Sequence, residues 1–276
     1  MEVKVDNVSY INNKKCVLKN IDTCFEDNTI NFIVGSSKNI FIKLLSGDLI
    51  PSRGGILVNN IKIDMNTDQS IISDLRKVVG FITYINNNNI TVREIILSNL
   101  DKYKSNFSTT KKEKHLRDAL KMVGLGHIEP DCKISDLSSG EQKRVFIAAT
   151  LAYNPKIILI DENILALDIN GKNNLIKIIR LLKNRFKKTI IIASNDSNLI
   201  HKLADYIYVL NKESLIKRAT KYEIFTDEQI LGENHIEIPQ IINFSNLVLK
   251  NKKVKLGYRD EINDLLKDIY RYAKKW

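Results

Sequence analysis

The chain has 276 residues and a formal net charge of +11, and hydrophobic residues make up 43% of it. No apolar run approaches the roughly 18–20 residues that a membrane-spanning helix needs, so we expect any contact with a membrane to go through other subunits. Lysine is spread along the sequence instead of being gathered in one stripe, which argues against a nucleic-acid-binding surface.

The N-terminal residues and the cysteines indicate a cytoplasmic protein. Residues 1–6 alternate apolar and charged side chains, as a strand does and a signal peptide does not. Cys16, Cys24 and Cys132 lack metal-binding spacing, and we expect ordinary reduced thiols.

The first part of the chain predicts strands followed by a phosphate-binding turn. Residues 3–63 contain several short β-type runs, and an apolar run over 30–34, in which Asn31 is the one polar residue, ends at Gly35. A helical pattern over 38–45 follows. The order is therefore strand, turn and helix, which is the arrangement that carries phosphate-binding loops.

The middle of the chain predicts an inserted helical subdomain. Residues 78–83 have the pattern of another buried strand, and the asparagines at 86–89 mark a loop. The pattern over 91–123 is mostly helical and amphipathic.

Two further apolar runs, at 157–160 and 189–193, have the length of strands and enclose a helical stretch over 172–186. Buried strands that alternate with helices predict a parallel sheet and an α/β fold. After this sheet, we expect a hairpin arm over 211–218. An appendage of short helices follows, one near 239–249 and one near 261–272.

Ser138 precedes a helical pattern over 141–153, in the segment LSSGEQKRV. Backbone N–H groups at such a helix start can bind a phosphate, and the serine hydroxyl adds a donor. The alternative is a plain capping box, in which Ser138 and Glu141 bond to each other.

Two carboxylates, Asp161 and Glu162, directly follow the strand predicted at 157–160. Asp161 can hold Mg²⁺ through water, and Glu162 can polarise a water that attacks a γ-phosphate. The alternative is a strand-end turn with two solvated acids.

Taken together, the segment LSSGEQKRVFIAATLAYNPKIILIDENILALD resembles the core of ATP-binding cassette (ABC) ATPases, and the resemblance extends over residues 3–218. It implies an α/β fold of the P-loop NTPase type with an antiparallel β subdomain. The nucleotide-binding domain would span 1–218, with a helical subdomain at about 84–150. A small helical extension over 219–276 would support dimerisation. In this family two cassettes form a head-to-tail dimer, and each ATP lies between the phosphate loop of one subunit and the signature loop of the other.

The resemblance assigns roles to the matching residues. Asp161 matches the Mg²⁺-binding aspartate, Glu162 the catalytic glutamate and Asp168 the aspartate of the D-loop, while Asn163 replaces a usual proline. The signature loop is matched by Ser138, Ser139, Gly140 and Glu141, with serine at the second position in place of a usual glycine.

The phosphate loop departs from the family pattern G-x-x-x-x-G-K-[ST], which places the lysine six positions after the first glycine. Here Lys38 follows Gly35 by three positions, and Asn39 and Ile40 replace the hydroxyl pair that serves Mg²⁺, which leaves Asn39 as a weak ligand. The candidate nucleotide-binding loop is thus Gly35, Ser36, Ser37, Lys38, Asn39 and Ile40. A shortened loop cannot wrap the β-phosphate, and in other enzymes one lost donor costs about 2.7–4 kcal/mol in the transition state.

Three other positions of the resemblance differ in the same sense. Tyr84 replaces a glutamine that contacts Mg²⁺ and the attacking water, and Asn195 replaces a histidine that contacts the γ-phosphate. Asn12 stands where an aromatic ring would stack on adenine, although Tyr10 is close enough in sequence to substitute.

The altered groups all act on the chain's own nucleotide, whereas the retained signature and Asp168 act on a partner's nucleotide. Our hypothesis is that this chain completes the site of an intact partner cassette, and that its own site binds ATP and Mg²⁺ weakly or not at all. Glu162 is the exception, because it would act on the chain's own nucleotide.

The C-terminal part narrows the resemblance. The segment ATKYEIF resembles the G-T-P-x-E-I-F segment of importer cassettes, and LRKVVGF and the terminal helices resemble energy-coupling factor (ECF) transporter ATPases. This implies a peripheral protein at the cytoplasmic face of the membrane. Its partners would be a second ABC ATPase subunit, a transmembrane coupling subunit that docks near residues 84–130, and a substrate-binding membrane subunit. ATP hydrolysis in the cassette dimer would drive uptake of a vitamin or metal ion.

Two other functions stay open at this point. The first is a non-catalytic regulatory or interaction protein on an ABC ATPase scaffold. The second is a soluble nucleic-acid-associated cassette protein, which is disfavoured because such proteins join two cassettes in one chain.

Overall fold

Two β-sheets frame the protein in a computed structural model that describes residues 3–84, 89–234, 236–254, 256–259 and 262–273. The strands are β1 (Val3–Asn12), β2 (Lys15–Phe25), β3 (Ile30–Gly35), β4 (Arg53–Val58), β5 (Ile61–Asp64), β6 (Val79–Ile82), β7 (Ile157–Ile160), β8 (Thr189–Ala193), β9 (Tyr206–Asn211) and β10 (Ser214–Ala219). The smaller sheet is antiparallel with the order β2-β1-β4-β5, and the larger has the order β10-β9-β3-β8-β7-β6. Strands β9, β3, β8, β7 and β6 are parallel, and β10 pairs antiparallel to β9.

Helices connect the strands and cover the larger sheet. They are α1 (Lys38–Ser46), α2 (Gln69–Val78), α3 (Val92–Tyr103), α4 (Thr109–Met122), α5 (Ser139–Leu151), α6 (Glu162–Leu165), α7 (Ile169–Asn184), α8 (Ser197–Leu203), α9 (Lys221–Phe225), α10 (Glu228–Glu233), α11 (Gln240–Lys252) and α12 (Ile262–Ala273), with a short 3₁₀ turn at Ile134–Asp136. Within the described ranges, none of these helices is both long and apolar enough to cross a bilayer.

The largely apolar central strands of the parallel sheet are buried on both of its faces. On β3, Phe32 joins the cluster packed against α3, α4, α5, α7 and α8, while its neighbour Ile33 joins the cluster packed against α1, α2 and the antiparallel sheet. The same alternation holds on β7, where Ile158 and Leu159 face opposite ways. Because successive side chains of a strand point to opposite faces, a run that is apolar at nearly every position is needed to fill both clusters, and Asn31 on β3 is a buried polar exception. The predicted α/β fold is confirmed.

Two helices begin earlier than the sequence pattern indicates, because their capping residues lie further upstream. Ser138 caps α5, and its hydroxyl oxygen accepts a hydrogen bond from the N–H of Glu141. Asp168 caps α7, and its carboxylate accepts a hydrogen bond from the N–H of Gly171 at 2.8 Å. Polar side chains at this position satisfy N–H groups that the first helical turn leaves free, so they set the helix start.

The predicted inserted helices are α3, α4 and α5. Arg93 at the start of α3 ties this group together, with its guanidinium 2.5 Å from Glu113 on α4 and 2.7 Å from Asp131 in the following loop. Asn89 is the only described residue of the loop predicted at 86–89; its other positions lie outside the described residues.

The first residues after β10 pack on the core of the protein. Ile224, Phe225, Leu231 and Ile242 are buried in the cluster that covers one face of the parallel sheet. The predicted helices near 239–249 and 261–272 correspond to α11 and α12. The division of the chain at residue 218 stays a prediction, since β10 runs through Ala219 and pairs with β9.

Candidate functional site

Three loops with predicted functional residues meet at one edge of the parallel sheet. Strands β3, β8 and β7 are neighbours and run in the same direction, so their carboxyl ends lie side by side. The loops that follow carry Lys38 after β3, Asn195 after β8, and Asp161 and Glu162 after β7. Crevices at this edge are the usual ligand sites of open α/β sheets.

Lys38 is the first residue of α1 and forms an ion pair within the site. Its side-chain nitrogen lies 3.1 Å from Glu162 Oε2, and Lys38 is 9% exposed, while the Glu162 side chain is 40% exposed. In the family pattern, this lysine would face phosphate oxygens. Here the ammonium group of Lys38 is paired instead with the carboxylate of Glu162, which matches the catalytic glutamate of the family.

The turn between β3 and α1 contains only two residues, Ser36 and Ser37. Ser36 is exposed, but the Ser37 hydroxyl faces inward, where its single hydrogen is shared between the carbonyl oxygens of Lys212 at 3.1 Å and Val17 at 3.4 Å. A wrap around a β-phosphate uses consecutive N–H groups of a longer loop. This turn is too short for such a wrap.

Gly35 and Asn195 are bonded to each other at this edge. The N–H of Gly35 donates to Asn195 Oδ1 at 3.0 Å. The next residue, Asp196, caps α8 and pairs with Lys172 at 2.7 Å, which holds the loop in place. Burial raises the pKa of Asp196, but the hydrogen bond from Lys172 and the N–H groups of α8 outweigh burial, so its pKa is lowered overall.

Asp161 is buried at 4% exposure, and its carboxylate accepts hydrogen bonds from the Thr83 hydroxyl at 3.0 Å and, at 3.4 Å, from the amide of Asn163. Both of these donors are neutral groups, and a buried carboxylate with neutral donors suits a Mg²⁺ ligand. The family pattern also places a hydroxyl ligand for Mg²⁺ directly after the lysine. Here those two positions offer no hydroxyl, because Asn39 is an exposed amide and Ile40 packs against the core. Within the described residues, no group of three or more His, Cys, Asp or Glu side chains is arranged to hold a metal ion.

Tyr84 turns away from the phosphate loop and toward the helical subdomain. Its hydroxyl donates to Gln142 Oε1 at 2.9 Å, and its ring meets Phe146 edge-on at 5.3 Å between centroids. The side chain that replaces a Mg²⁺-contacting glutamine is therefore used in packing against α5. Asn12 is exposed beside the β1–β2 turn, and Tyr10 is partly buried against the core, so an adenine contact by either residue stays a prediction.

The residues thus do not fit a magnesium triphosphate as the family pattern requires. Asp161 is suitably placed, but the loop is short, the lysine is paired with Glu162, and the positions after it lack a hydroxyl. The groups that would hold a nucleotide instead bond to one another.

The signature loop and the D-loop form a separate, open surface. Ser138, Ser139, Gly140, Arg144, Ala166, Leu167, Asp168, Asn170, Gly171 and Asn174 line one cavity of about 400 Å³. The predicted capping box is present beside this cavity, because the N–H of Ser138 donates to Glu141 Oε2 at 3.0 Å and the N–H of Glu141 donates to the Ser138 hydroxyl oxygen at 3.4 Å. The Ser138 hydroxyl also donates to Glu141 Oε2, at 2.6 Å. The hydrogen bonds from Ser138 hold the pKa of Glu141 below its usual range. The capping and phosphate-binding interpretations of Ser138 are compatible, because the N-terminus of α5 opens onto this cavity.

Sequence reasoning missed three side chains that position the candidate groups: Thr83, Gln142 and Asp196. Asp196 had a usable signal, since an aspartate directly before a short helical pattern is a preferred N-cap. Thr83 and Gln142 act through contacts across 78 and 58 residues of chain, and no local pattern indicates them.

Replacement of Asn195 by alanine is expected to lower the free energy of unfolding by about 1–3 kcal/mol, because the N–H of Gly35 would lose its acceptor in a partly buried place. Urea unfolding followed by circular dichroism measures this loss. Asn198→Ala is the matched control, since Asn198 is exposed three residues further on and its change should cost little. Equal stability of the two variants would show that the bond to Gly35 contributes nothing.

Comparison with protein families matches residues 18–164, more than half of the chain, to the family described as ABC transporter. The chain is 30% identical over 261 residues to the energy-coupling factor transporter ATP-binding protein EcfA2 of Caldanaerobacter subterraneus, which covers 91% of this chain and 90% of that protein. The EcfA2 protein of Clostridium perfringens is 29% identical, with 87% of each chain covered.

Solved structures share the fold. The dimeric ATP-binding cassette MJ0796, bound to ADP and phosphate, superposes with a TM-score of 0.71 at 26% identity, covering 79% of this chain and 98% of that one. The cbiO1 protein of Clostridium perfringens, part of the ABC transporter complex cbiONQ, superposes with a TM-score of 0.71 at 23% identity. The match covers 88% of this chain and 98% of that one. The fold, the order of the motifs and the extent of these matches lead to one conclusion: the chain belongs to the ABC transporter family of ATPases.

Proposed function

We propose that this chain is the non-equivalent ATPase subunit of an ECF-type importer, which pairs with an intact cassette and completes the partner's nucleotide site. The importer takes up a micronutrient, either a vitamin or a metal ion. The proposal draws on the likeness to ECF transporter ATP-binding proteins over about nine-tenths of both chains. The family uses ATP and Mg²⁺. In this chain the edge around the phosphate loop suits ATP and Mg²⁺ less well than the cavity at the signature loop suits a partner's nucleotide.

The observation that carries the proposal is the contrast between these surfaces. At the phosphate loop, Lys38 is paired with Glu162 and the N–H of Gly35 with Asn195. At the signature loop, the start of α5 and Asp168 line an open cavity. The first surface would act on this chain's own nucleotide and the second on a partner's. Hydrolysis therefore takes place mainly in the site that the partner's phosphate loop provides.

A groove between the parallel sheet and the helical subdomain suits the membrane partner. It has a volume of about 270 Å³ and is lined by Arg76, Phe81, Asn99, Tyr103 and Phe146, among others. Its mixed apolar and polar lining fits an amphipathic segment of a coupling subunit. This location agrees with docking near residues 84–130 and with a peripheral position at the cytoplasmic face of the membrane.

The C-terminal helix α12 suits a role in pairing. Ile262, Leu266 and Tyr270 follow one another at intervals of four residues and are 64%, 44% and 68% exposed. An apolar stripe of this spacing occupies one face of a helix and normally faces another surface. We assign the stripe to the contact between the two cassettes.

Replacement of both Leu266 and Tyr270 by glutamate is expected to weaken pairing with the partner cassette at least about tenfold, because charges would enter an apolar contact. Analytical ultracentrifugation measures the dissociation constant. Lys267→Glu, which changes the net charge by the same amount on an exposed position off the stripe, is the control. Unchanged pairing in the double variant would remove α12 from the interface.

The proposed function is tested by mixing the purified chain with an intact ECF cassette from the same organism. ATP is expected to drive formation of the mixed pair and to raise turnover above that of the partner alone, while this chain by itself hydrolyses no ATP above background. Vigorous hydrolysis by the isolated chain would contradict the proposal. Pairing without any effect on turnover would instead favour a regulatory protein on the same scaffold.

A further inference from the structure

A cavity of about 780 Å³ lies at the edge of the parallel sheet opposite the phosphate loop, beside the first residues of β7 and β8. Its lining includes five lysines: Lys77, Lys104, Lys156, Lys187 and Lys188. They come from the end of α2, the residue after α3, the loop before β7 and the loop between α7 and β8. Lysines that are scattered in sequence are thus gathered around one concave surface.

The positive charge of this cavity is poorly balanced. Within the described part of the chain, Asp27 is the only acidic residue of its lining. Lys77 is paired with Asp74 at 2.7 Å, on the exposed side of α2. Among the residues that the structure describes, Lys104, Lys156 and Lys187 have no ion pair. Three ammonium groups that form no ion pair therefore line one concavity with a single carboxylate among the described residues, and such an arrangement concentrates anions.

Lys188 forms the buried end of the cavity, and only 7% of it is exposed. Its side-chain nitrogen donates to Asn154 Oδ1 at 2.6 Å and to the Asn154 carbonyl oxygen at 3.4 Å. One of its three N–H bonds is left for another acceptor. Burial lowers the pKa of Lys188, and the ammonium groups of Lys104 and Lys156 lower it further, so these charges lie close enough to repel one another.

An amide group adds to the lining. The N–H of Asn28 donates to the Thr189 hydroxyl at 3.0 Å, which fixes the residue at the rim of β8. Its side-chain oxygen is buried and has no hydrogen-bond partner in the described part of the protein. Rotation of the Asn28 side-chain amide by about 180° would put its NH₂ group where the oxygen now lies. This rotation would break no hydrogen bond of the oxygen, and the NH₂ group could donate to an anion.

We propose that this cavity binds a phosphate-bearing anion, held by Lys104, Lys156 and Lys187 at the rim and by Lys188 at the base. Lysine ammonium groups bind phosphate as point charges and tolerate varied geometry. A bound anion would remove the repulsion among the three rim lysines and would satisfy the remaining donor of Lys188. The same chemistry is offered by a soluble phosphate compound and by the headgroup of an acidic phospholipid.

The test uses the full chain and two probes. Pyrophosphate binding is measured by isothermal titration calorimetry, and membrane binding by co-sedimentation with phosphatidylglycerol vesicles against phosphatidylcholine vesicles. The variant K104Q/K156Q/K187Q removes the rim charges and keeps Lys188 for the fold. The control K14Q/K43Q/K114Q removes three lysines outside the cavity, so both variants have the same net charge.

We expect wild type and control to bind one of the two probes, and the rim variant to bind it at least about tenfold more weakly, because each lysine near a phosphate changes affinity severalfold. Lys38 is intact in every protein, so a loss confined to the rim variant locates the site in this cavity. Binding to pyrophosphate identifies a soluble ligand, and binding only to acidic vesicles identifies a lipid headgroup. Absence of binding by wild type, equal affinity of wild type and rim variant, or an equal loss in the control would overturn the proposal.

Discussion

ATP turnover by the co-purified pair of this chain and an intact cassette is expected to fall about 100-fold when Ser138 is replaced by arginine, since one preorganised donor is worth that much in other enzymes. The Ser138 hydroxyl lies at the N-terminus of α5, where backbone N–H groups point toward the signature cavity. Arginine removes the hydroxyl and fills a cavity that the partner's nucleotide would need. Steady-state phosphate release measures the effect.

The control separates this role from helix capping. Ser108 caps α4 with one matching bond, since its hydroxyl accepts from the N–H of Lys111 at 3.4 Å, the distance found between Ser138 and Glu141, although only Ser138 also donates to a glutamate. Loss of either cap should cost about 1 kcal/mol of stability. Ser108→Arg should therefore reduce stability as Ser138→Arg does but leave turnover unchanged. If both variants lost turnover equally, Ser138 would be a cap and nothing more.

Gly35→Ala is expected to lower the free energy of unfolding by at least about 3 kcal/mol, because it combines a backbone clash with a strained conformation. Gly35 has a φ of +103°, which side chains with a Cβ rarely adopt. A Cβ added there would lie 1.8 Å from the carbonyl oxygen of Leu210 on β9. Urea unfolding measures the loss.

Gly232→Ala is the matched control for this change. Gly232 lies in α10 with open space around the position of an added Cβ, so alanine there should leave stability unchanged or raise it by up to about 1 kcal/mol. A small loss for Gly35→Ala would mean that β9 can move aside. The contact with β9 gives this glycine a structural role that does not depend on a bound phosphate.

The sheet and its neighbouring helices could be predicted because the signals are local. The apolar run around Phe32 specifies a strand buried on both faces, and the residues after β3, β7 and β8 must then meet at one edge. The family resemblance of the signature segment rests on a continuous stretch of chain. Fold and motif order therefore followed from patterns that span a few residues each.

The internal contacts of the site could not be predicted, because they join distant parts of the chain. The sequence shows that the loop around Lys38 is short, but not that Glu162 would take the place of a phosphate beside it. The sequence indicates only that Asn195 stands where the family has a histidine, whereas in the structure its side-chain oxygen accepts a hydrogen bond from the N–H of Gly35. The basic cavity was missed for the same reason, since its lysines lie on four separate segments.

We expect this chain's own phosphate loop to contribute little to hydrolysis in the pair. Lys38→Ala in the co-purified pair is the sharpest test, because the matching lysine of an intact loop reaches the phosphates, whereas Lys38 is paired with Glu162 at 3.1 Å. Turnover of this variant pair is expected to stay within about twofold of the unchanged pair. A loss as large as that expected for Ser138→Arg would contradict it and show that the shortened loop still works on a nucleotide of its own.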